Sequence, residues 1–177
     1  REIQRTRFFI NRRIKHRESF RPFAPSVLIE DCKEYFELEQ SSPYMLLVAN
    51  VQQKHINSIP ENYYELPLME RLYFERSDIP SVTHIDYSAR IQTVHKETNP
   101  RYWNLINQFK MLTGYGVIVN TSFNVRGEPI VCTPEDAYKC FMRTEMDYLI
   151  IGDFLFDKKE QPVWKSEDNW REEFKLD

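Results

Sequence analysis

The stretch Val117-Ile118-Val119-Asn120-Thr121-Ser122-Phe123-Asn124-Val125-Arg126-Gly127-Glu128-Pro129 decides how the chain is read. Its first three residues are apolar and β-branched, which predicts a short buried strand. From Asn120 to Pro129 there is no periodicity, which predicts a loop. Open α/β sheets hold ligands just beyond the carboxyl ends of their strands, so this loop is the first place to look for a site. Its hydroxyls, amides and single guanidinium can hold phosphate or carbonyl oxygens without a glycine cradle. Standing alone, the same residues also read as an Asn/Ser/Gly turn held by its own side chains.

Helical signals flank the stretch on both sides. Upstream, Pro100 opens an amphipathic helix with a stripe of Tyr102, Trp103, Leu105, Ile106, Phe109 and Leu112, and Gly114 ends it. Downstream, Thr133-Pro134-Glu135-Asp136 is a helix start with cap, first-turn proline and acids facing the dipole, and the helix runs to about Thr144. Strands follow over 148–151 and 154–157 around Gly152. Nearer the start, residues 2–17 have rough helical spacing and Pro22 and Pro25 stop it. A strand over 26–29, a short helix over 31–36 and a strand over 44–51 come next. Residues 52–81, with Pro60, Pro67 and Pro80, read as irregular, and 82–85 and 89–94 read as extended. Helices and strands alternate, so the expected class is α/β with a mixed sheet and flanking helices.

The 177 residues suit one ordinary domain, with 41% hydrophobic and 14% aromatic residues to fill a core. The apolar runs are far too short for a membrane span, and no signal segment opens the chain. Three widely spaced cysteines (Cys32, Cys132 and Cys140) make neither a disulfide framework nor a metal knuckle. A reducing cytoplasmic setting is expected, with Cys132 and Cys140 reduced and packed as small hydrophobes. The chain begins at Arg1 rather than Met and is expected to be part of something longer.

Charge is unevenly spread. Residues 1–22 carry a net +6 and the remaining residues −9. On charge alone the basic segment reads equally as a solvated helix face or as the footprint of an anionic ligand. The run Arg21-Pro22-Phe23-Ala24-Pro25 favours the second reading, because two prolines stiffen the chain beside Lys15, Arg17 and Arg21. On a regular helix Lys15 and Arg17 diverge; on an extended segment they point the same way. A third candidate is His84-Ile85-Asp86-Tyr87-Ser88-Ala89-Arg90-Ile91-Gln92. Along an extended stretch His84 and Asp86 share a face, as do Ser88, Arg90 and Gln92, although a lone His–Asp pair is more often structural than catalytic. No nucleophile elbow, phosphate-binding glycine loop or metal-ligand spacing is present in the sequence.

Taken together, these stretches resemble the C-terminal domain of the O-carbamoyltransferases that decorate antibiotics and nodulation factors. The residues that carry the resemblance are Asn11 with Ile14-Lys15-His16-Arg17-Glu18-Ser19-Phe20-Arg21-Pro22-Phe23-Ala24-Pro25-Ser26-Val27-Leu28, then His84-Ile85-Asp86 with Ser88-Ala89-Arg90-Ile91-Gln92-Thr93-Val94. Asn99-Pro100, Thr113-Gly114, Asn120-Thr121-Ser122-Phe123-Asn124, Gly127-Glu128-Pro129-Ile130-Val131 and Thr133-Pro134-Glu135-Asp136-Ala137 complete it. Tyr87 departs from the family pattern, which tends to have Gly there. The resemblance implies a YrdC-like fold over residues 10–158, entered by the basic segment 1–22 and followed by a polar tail, 159–177. That fold is a twisted mixed sheet with a basic concave cavity.

The resemblance also implies a reaction. Carbamoyl phosphate and ATP, the latter with Mg²⁺ as a substrate complex and no tightly bound cofactor, give carbamoyl adenylate with release of phosphate and pyrophosphate. A separate metal-containing N-terminal domain of the same polypeptide then passes the carbamoyl group to a hydroxyl. Lys15, Arg17, Arg90 and Ser122 are the implied catalytic residues. Arg21, Asn120, Asn124, Arg126 and His84 are the implied substrate- and nucleotide-binding residues, with Asn120 and Asn124 holding the carbamoyl amide. Two other readings stand beside this one, a YrdC-like RNA-binding module and a non-catalytic docking domain. Membrane association is not expected.

Overall fold

Asn99 and Thr133 set the two long helices, each through a cap written in the adjacent residues. The Asn99 side chain accepts from the Tyr102 N–H, Pro100 takes the first turn, and the helix Pro100–Thr113 ends at Gly114, whose φ of 84° is the left-handed C-cap that glycine adopts without strain. Thr133 and Asp136 form a reciprocal capping box at the head of the helix Pro134–Arg143. The computed structural model describes residues 7–164; residues 1–6 of the basic segment and 165–177 of the polar tail lie outside the described residues.

Six strands are present among the described residues: β1 (Ala24–Leu28), β2 (Leu47–Asn50), β3 (Ser88–Val94), β4 (Val117–Asn120), β5 (Tyr148–Ile151) and β6 (Phe154–Asp157). The first four form one sheet in the order β2-β3-β1-β4. β1 runs parallel to β3, with Ser26 opposite Gln92, and antiparallel to β4, with Ala24 opposite Asn120. β2 is antiparallel to β3. The sheet is therefore mixed and flanked by helices, as expected. β5 and β6 form a separate antiparallel pair. No helix among the described residues is long and apolar enough to cross a membrane.

The chain divides into two compact units. One contains Arg7 and Pro22–Thr121; the other contains Phe8–Arg21 and residues 122–164. In the first unit, β1 is buried along its whole length, and Leu28, Val94 and Ile106 form a core cluster joined by Tyr102, Trp103 and Ile118. Only part of the predicted helix stripe is used: Ile106 is fully buried, while Leu105 and Leu112 are exposed. In the second unit, the helix Pro134–Arg143 buries Ala137, Cys140 and Phe141. The Lys158 ammonium closes its carboxyl end by donating to the carbonyls of Phe141 and Thr144.

Several local expectations change. The predicted helix over 2–17 continues from residue 9 into a π-helical turn, Ile10–Ile14. Residues 82–85 are not a strand but part of a turn, because Tyr87 takes a left-handed φ of 65°. Residues 52–81 are less irregular than expected, with a helix at Leu68–Tyr73. All three cysteines are free; Cys140 is buried as expected and Cys32 is buried too, but Cys132 is exposed. Its N–H donates to Asp136 Oδ2 at the mouth of the capped helix, which holds it at the surface instead of in the core.

Candidate functional site

In the second unit, Lys15 is the centre of a hydrogen-bonded knot. The π-turn ends where Lys15 N donates to Ile10 O at 2.8 Å, and His16 then turns the chain with φ 52°. The reversal sends the Lys15 side chain to the loop after β4. Its Nζ donates to Ser122 O and Asn124 O, both at 2.6 Å, to Asn124 Oδ1 at 2.7 Å and to Ser122 Oγ at 3.2 Å. Ser122 Oγ donates to Asn124 Oδ1 at 2.6 Å. Asn124 Nδ2 donates to Glu128 O, and Glu128 Oε2 accepts from Val125 N, which fastens the loop across Gly127 at its left-handed φ of 80°. Arg126 N donates to Lys15 O and completes the circuit.

Lys15 is 3% exposed. Burial lowers its pKa to about 8, and the nearby Arg17 guanidinium adds to the lowering. The remaining basic side chains have separate anchors. Arg17 Nε donates to Asn11 Oδ1 at 2.6 Å, and Asn11, itself fully buried, donates from Nδ2 to the carbonyls of Arg21 and Ser19. Arg126 Nη1 pairs with Glu18 Oε1 at 3.2 Å. Arg21 is exposed. The second unit thus brings together Lys15, Arg17, Ser122 and Asn124, with Arg21 and Arg126 on the same two segments. Lys15 and Arg17 do not point together along an extended segment; the π-turn and the left-handed His16 send them to different partners.

In the first unit, β3 carries Ser88, Arg90 and Gln92 on one face and buries Ala89, Ile91 and Thr93 on the other. Gln92 Oε1 accepts from Ser26 Oγ at 2.6 Å and from Asn120 Nδ2 at 2.7 Å, joining three strands in a polar strip. Arg90 is exposed. His84 and Asp86 do not share the face of a strand; they meet through Ser88. Asp86 Oδ1 accepts from Ser88 Oγ at 2.7 Å and from Ser88 N at 3.1 Å, while His84 Nδ1 lies 2.9 Å from Ser88 Oγ. Hydrogen bonds from Ser88 lower the Asp86 pKa, and burial lowers that of His84. A neighbouring cleft of about 420 Å³ is lined by Asp86, Tyr87, Glu37, Asn50 and Asn57 among others, with no cation in its wall, so it does not suit a polyanion.

Sequence reasoning missed Asn11, Ser88 and Glu128 as organisers of these groups. A buried asparagine in a helical segment has no pattern of its own; its partners Ser19 and Arg21 lie beyond the helix end. Arg7, counted among the basic block, is buried against Pro80 O at 3.3 Å in the first unit and is no part of the knot.

These motif residues lie within sequence shared with known proteins. An uncharacterised protein of Synechocystis sp. is 59% identical over 168 residues, which is 95% of this chain and 27% of that protein. The nodulation protein NolO of Bradyrhizobium diazoefficiens is 40% identical over 153 residues, covering 85% of this chain and 24% of that protein. A 3'-hydroxymethylcephem-O-carbamoyltransferase of Amycolatopsis lactamdurans is 31% identical over 147 residues, covering 83% and 24%. The chain thus spans about a quarter of the length of these relatives. The profile of the carbamoyltransferase C-terminus family matches residues 2–158, a span that takes in the Lys15 knot, the His84–Ser88–Asp86 chain and the capped helix at Thr133, and the chain belongs to that family.

Proposed function

We propose that this chain is the adenylate-forming part of an O-carbamoyltransferase. It binds ATP and carbamoyl phosphate and produces carbamoyl adenylate, phosphate and pyrophosphate, with one water consumed to release the carbamate that attacks the α-phosphorus. A separate N-terminal domain of the same polypeptide passes the carbamoyl group to a hydroxyl. The fold is YrdC-like with a basic concave cavity, and the protein works in the cytoplasm. The observation that carries this reading is the knot in which Lys15 ties the basic segment to the Ser122–Asn124 loop within family-matched sequence.

Both substrates are polyanions, and phosphoryl and adenylyl transfer depends on positioning and charge neutralisation more than on a protein nucleophile. In the second unit Arg17, Arg21 and Arg126 are the guanidiniums that supply phosphate contacts, and Lys15 and Ser122 hold their loop; in the first unit Arg90, exposed on β3, is the corresponding cation. In the second unit the Asn124 amide is already engaged on both sides and serves the loop more than the carbamoyl group; in the first unit the Asn120 amide donates to Gln92 Oε1 and keeps its own oxygen for a ligand. Mg²⁺ enters with ATP as part of the substrate complex.

The test is calorimetry of the chain with MgATP, with carbamoyl phosphate and with both, together with exchange of labelled pyrophosphate into ATP. Saturable binding of both ligands and carbamoyl phosphate-dependent exchange are expected. Tight, salt-sensitive RNA binding without nucleotide competition would replace this reading with the nucleic-acid one.

A further inference from the structure

In the first unit, β4 closes one side of the sheet, with β1 beside it and no strand beyond it among the described residues. Leu28 N donates to Gly116 O, and the same antiparallel register sets Ser26 against Ile118 and Ala24 against Asn120. Bonded and non-bonded pairs alternate in such a ladder, so the backbone N–H and C=O groups of Val117 and Val119 point away from β1. Among the described residues no strand takes them up.

A cleft of about 340 Å³ runs along this open edge. Val117 and Val119 present their side chains to one face of the sheet, and Ile118, packed on the Leu28–Val94–Ile106 cluster, to the other. All three line the cleft, which therefore lies where the two faces meet, on the outer side of the strand. Ile79, Val82 and Phe109 extend its apolar walls, and its described lining has no Lys or Arg, so it suits neither polyanionic substrate. Phe109 leads from the cleft to the part of the helical stripe that the sheet leaves unused. Leu105, Phe109 and Leu112 follow at i, i+4 and i+7 and are 55%, 40% and 86% exposed. Proteins seldom leave an open strand edge or a contiguous apolar surface bare, and here the two adjoin.

The open ladder asks for N–H and C=O groups, and the apolar walls ask for apolar side chains. An extended polypeptide segment offers both, whereas a small apolar molecule offers only the second. The relatives indicate where such a segment lies. This chain spans about a quarter of their length and belongs to the family of the carbamoyltransferase C-terminus, so in proteins of this kind most of the polypeptide precedes it. We propose that an extended apolar segment of the N-terminal domain of the same polypeptide adds to the sheet beside β4, pairing with Val117 and Val119 and burying alternate side chains between Ile79, Val82 and Phe109. This rests on the two-domain reading given above and assigns that reading its docking surface.

Amide exchange, read residue by residue by mass spectrometry, compares the chain alone with a chimera: the Synechocystis relative carrying this chain in place of its matching 168 residues. Val117 and Val119 should exchange freely in the chain and slow by about tenfold or more in the chimera, the worth of one backbone hydrogen bond, while Ile118 is slow in both. Val119→Pro removes an outward N–H and leaves the ladder to β1 intact; it should be silent in a urea melt of the chain and abolish the slowing at Val117 in the chimera. Leu112→Asp leaves the edge backbone untouched and should weaken the slowing through the apolar surface alone. Equal rates at Val117 and Val119 in chain and chimera overturn the proposal. Slow rates in the chain itself, with the mass of two chains by light scattering, also overturn it and give the edge to a second copy. Calorimetry with MgATP and carbamoyl phosphate separates the two readings. Lost binding with the slowing intact defeats the proposed chemistry and leaves the docking surface, and retained binding without slowing does the reverse.

Discussion

Lys15 offers three protons to four oxygens in a place with almost no water, and this makes its charge conditional. Its folded pKa of about 8 lies below the ordinary value of 10.5. Between those limits the unfolded chain holds more protons than the folded one, so stability rises with pH. The contribution is complete above 10.5 and is lost as pH falls through about 8. Urea unfolding at pH 7.5 and pH 10 should therefore show the parent gaining about 2 kcal/mol on Lys15→Met over that interval. A difference that stays constant with pH counts against a depressed ammonium. Asn11 makes a second prediction at this scale. Asn11→Ala strips a partner from Arg17 Nε and from two backbone carbonyls at once, and should cost about 2–4 kcal/mol in a thermal or urea melt. A loss below about 0.5 kcal/mol means water takes the amide's place. Neither residue's job was legible beforehand. The type and spacing of Lys15 marked it as a cation near an anion; its partners Ser122 and Asn124 stand more than 100 positions away.

Elements whose signals are local read well, and those that answer to distant partners do not. The helices at Pro100 and Thr133 begin where their caps stand, and the strand pair around Gly152 falls where expected, because each is specified within a few residues. The stretch 82–88 was misread because its shape depends on a tyrosine in a conformation that tyrosine seldom takes. The apolar stripe of the helix Pro100–Thr113 has the right period, yet the sheet beneath uses only its Tyr102–Trp103–Ile106 side, which periodicity alone does not reveal. The capping box gives the prediction at this scale. Thr133→Ala removes the acceptor for Asp136 N and should destabilise the chain by about 1–2 kcal/mol in urea unfolding, with the sheet strands unchanged by amide exchange. Asp136→Asn, which keeps an oxygen for the Cys132 and Thr133 N–H groups, should cost less.

For the whole molecule, the expectation is activation without delivery. With MgATP and carbamoyl phosphate the 177 residues should form carbamoyl adenylate and release pyrophosphate, but carbamoylate no sugar or cephem hydroxyl, because relatives in the family are about four times as long. Efficient carbamoylation of such an acceptor by this chain alone would show that the proposed division of labour is wrong. The layout of the second unit has a further consequence, for how the protein is born. Its first segment, Phe8–Arg21, and the loop that receives Lys15 are 107 positions apart, separated by the first unit. At about 5–20 residues per second, a ribosome delivers the early segment roughly 5–20 seconds before the Ser122 loop exists. During that wait the early segment has no native partner for its lysine, while the strands around β1 and β3 can already pair. Synthesis thus imposes an order, sheet first and knot last, and the knot must close by a long-range search whose entropy makes it slow. A released chain truncated after residue 121 should protect β3 amides while leaving Lys15 open to acetylation.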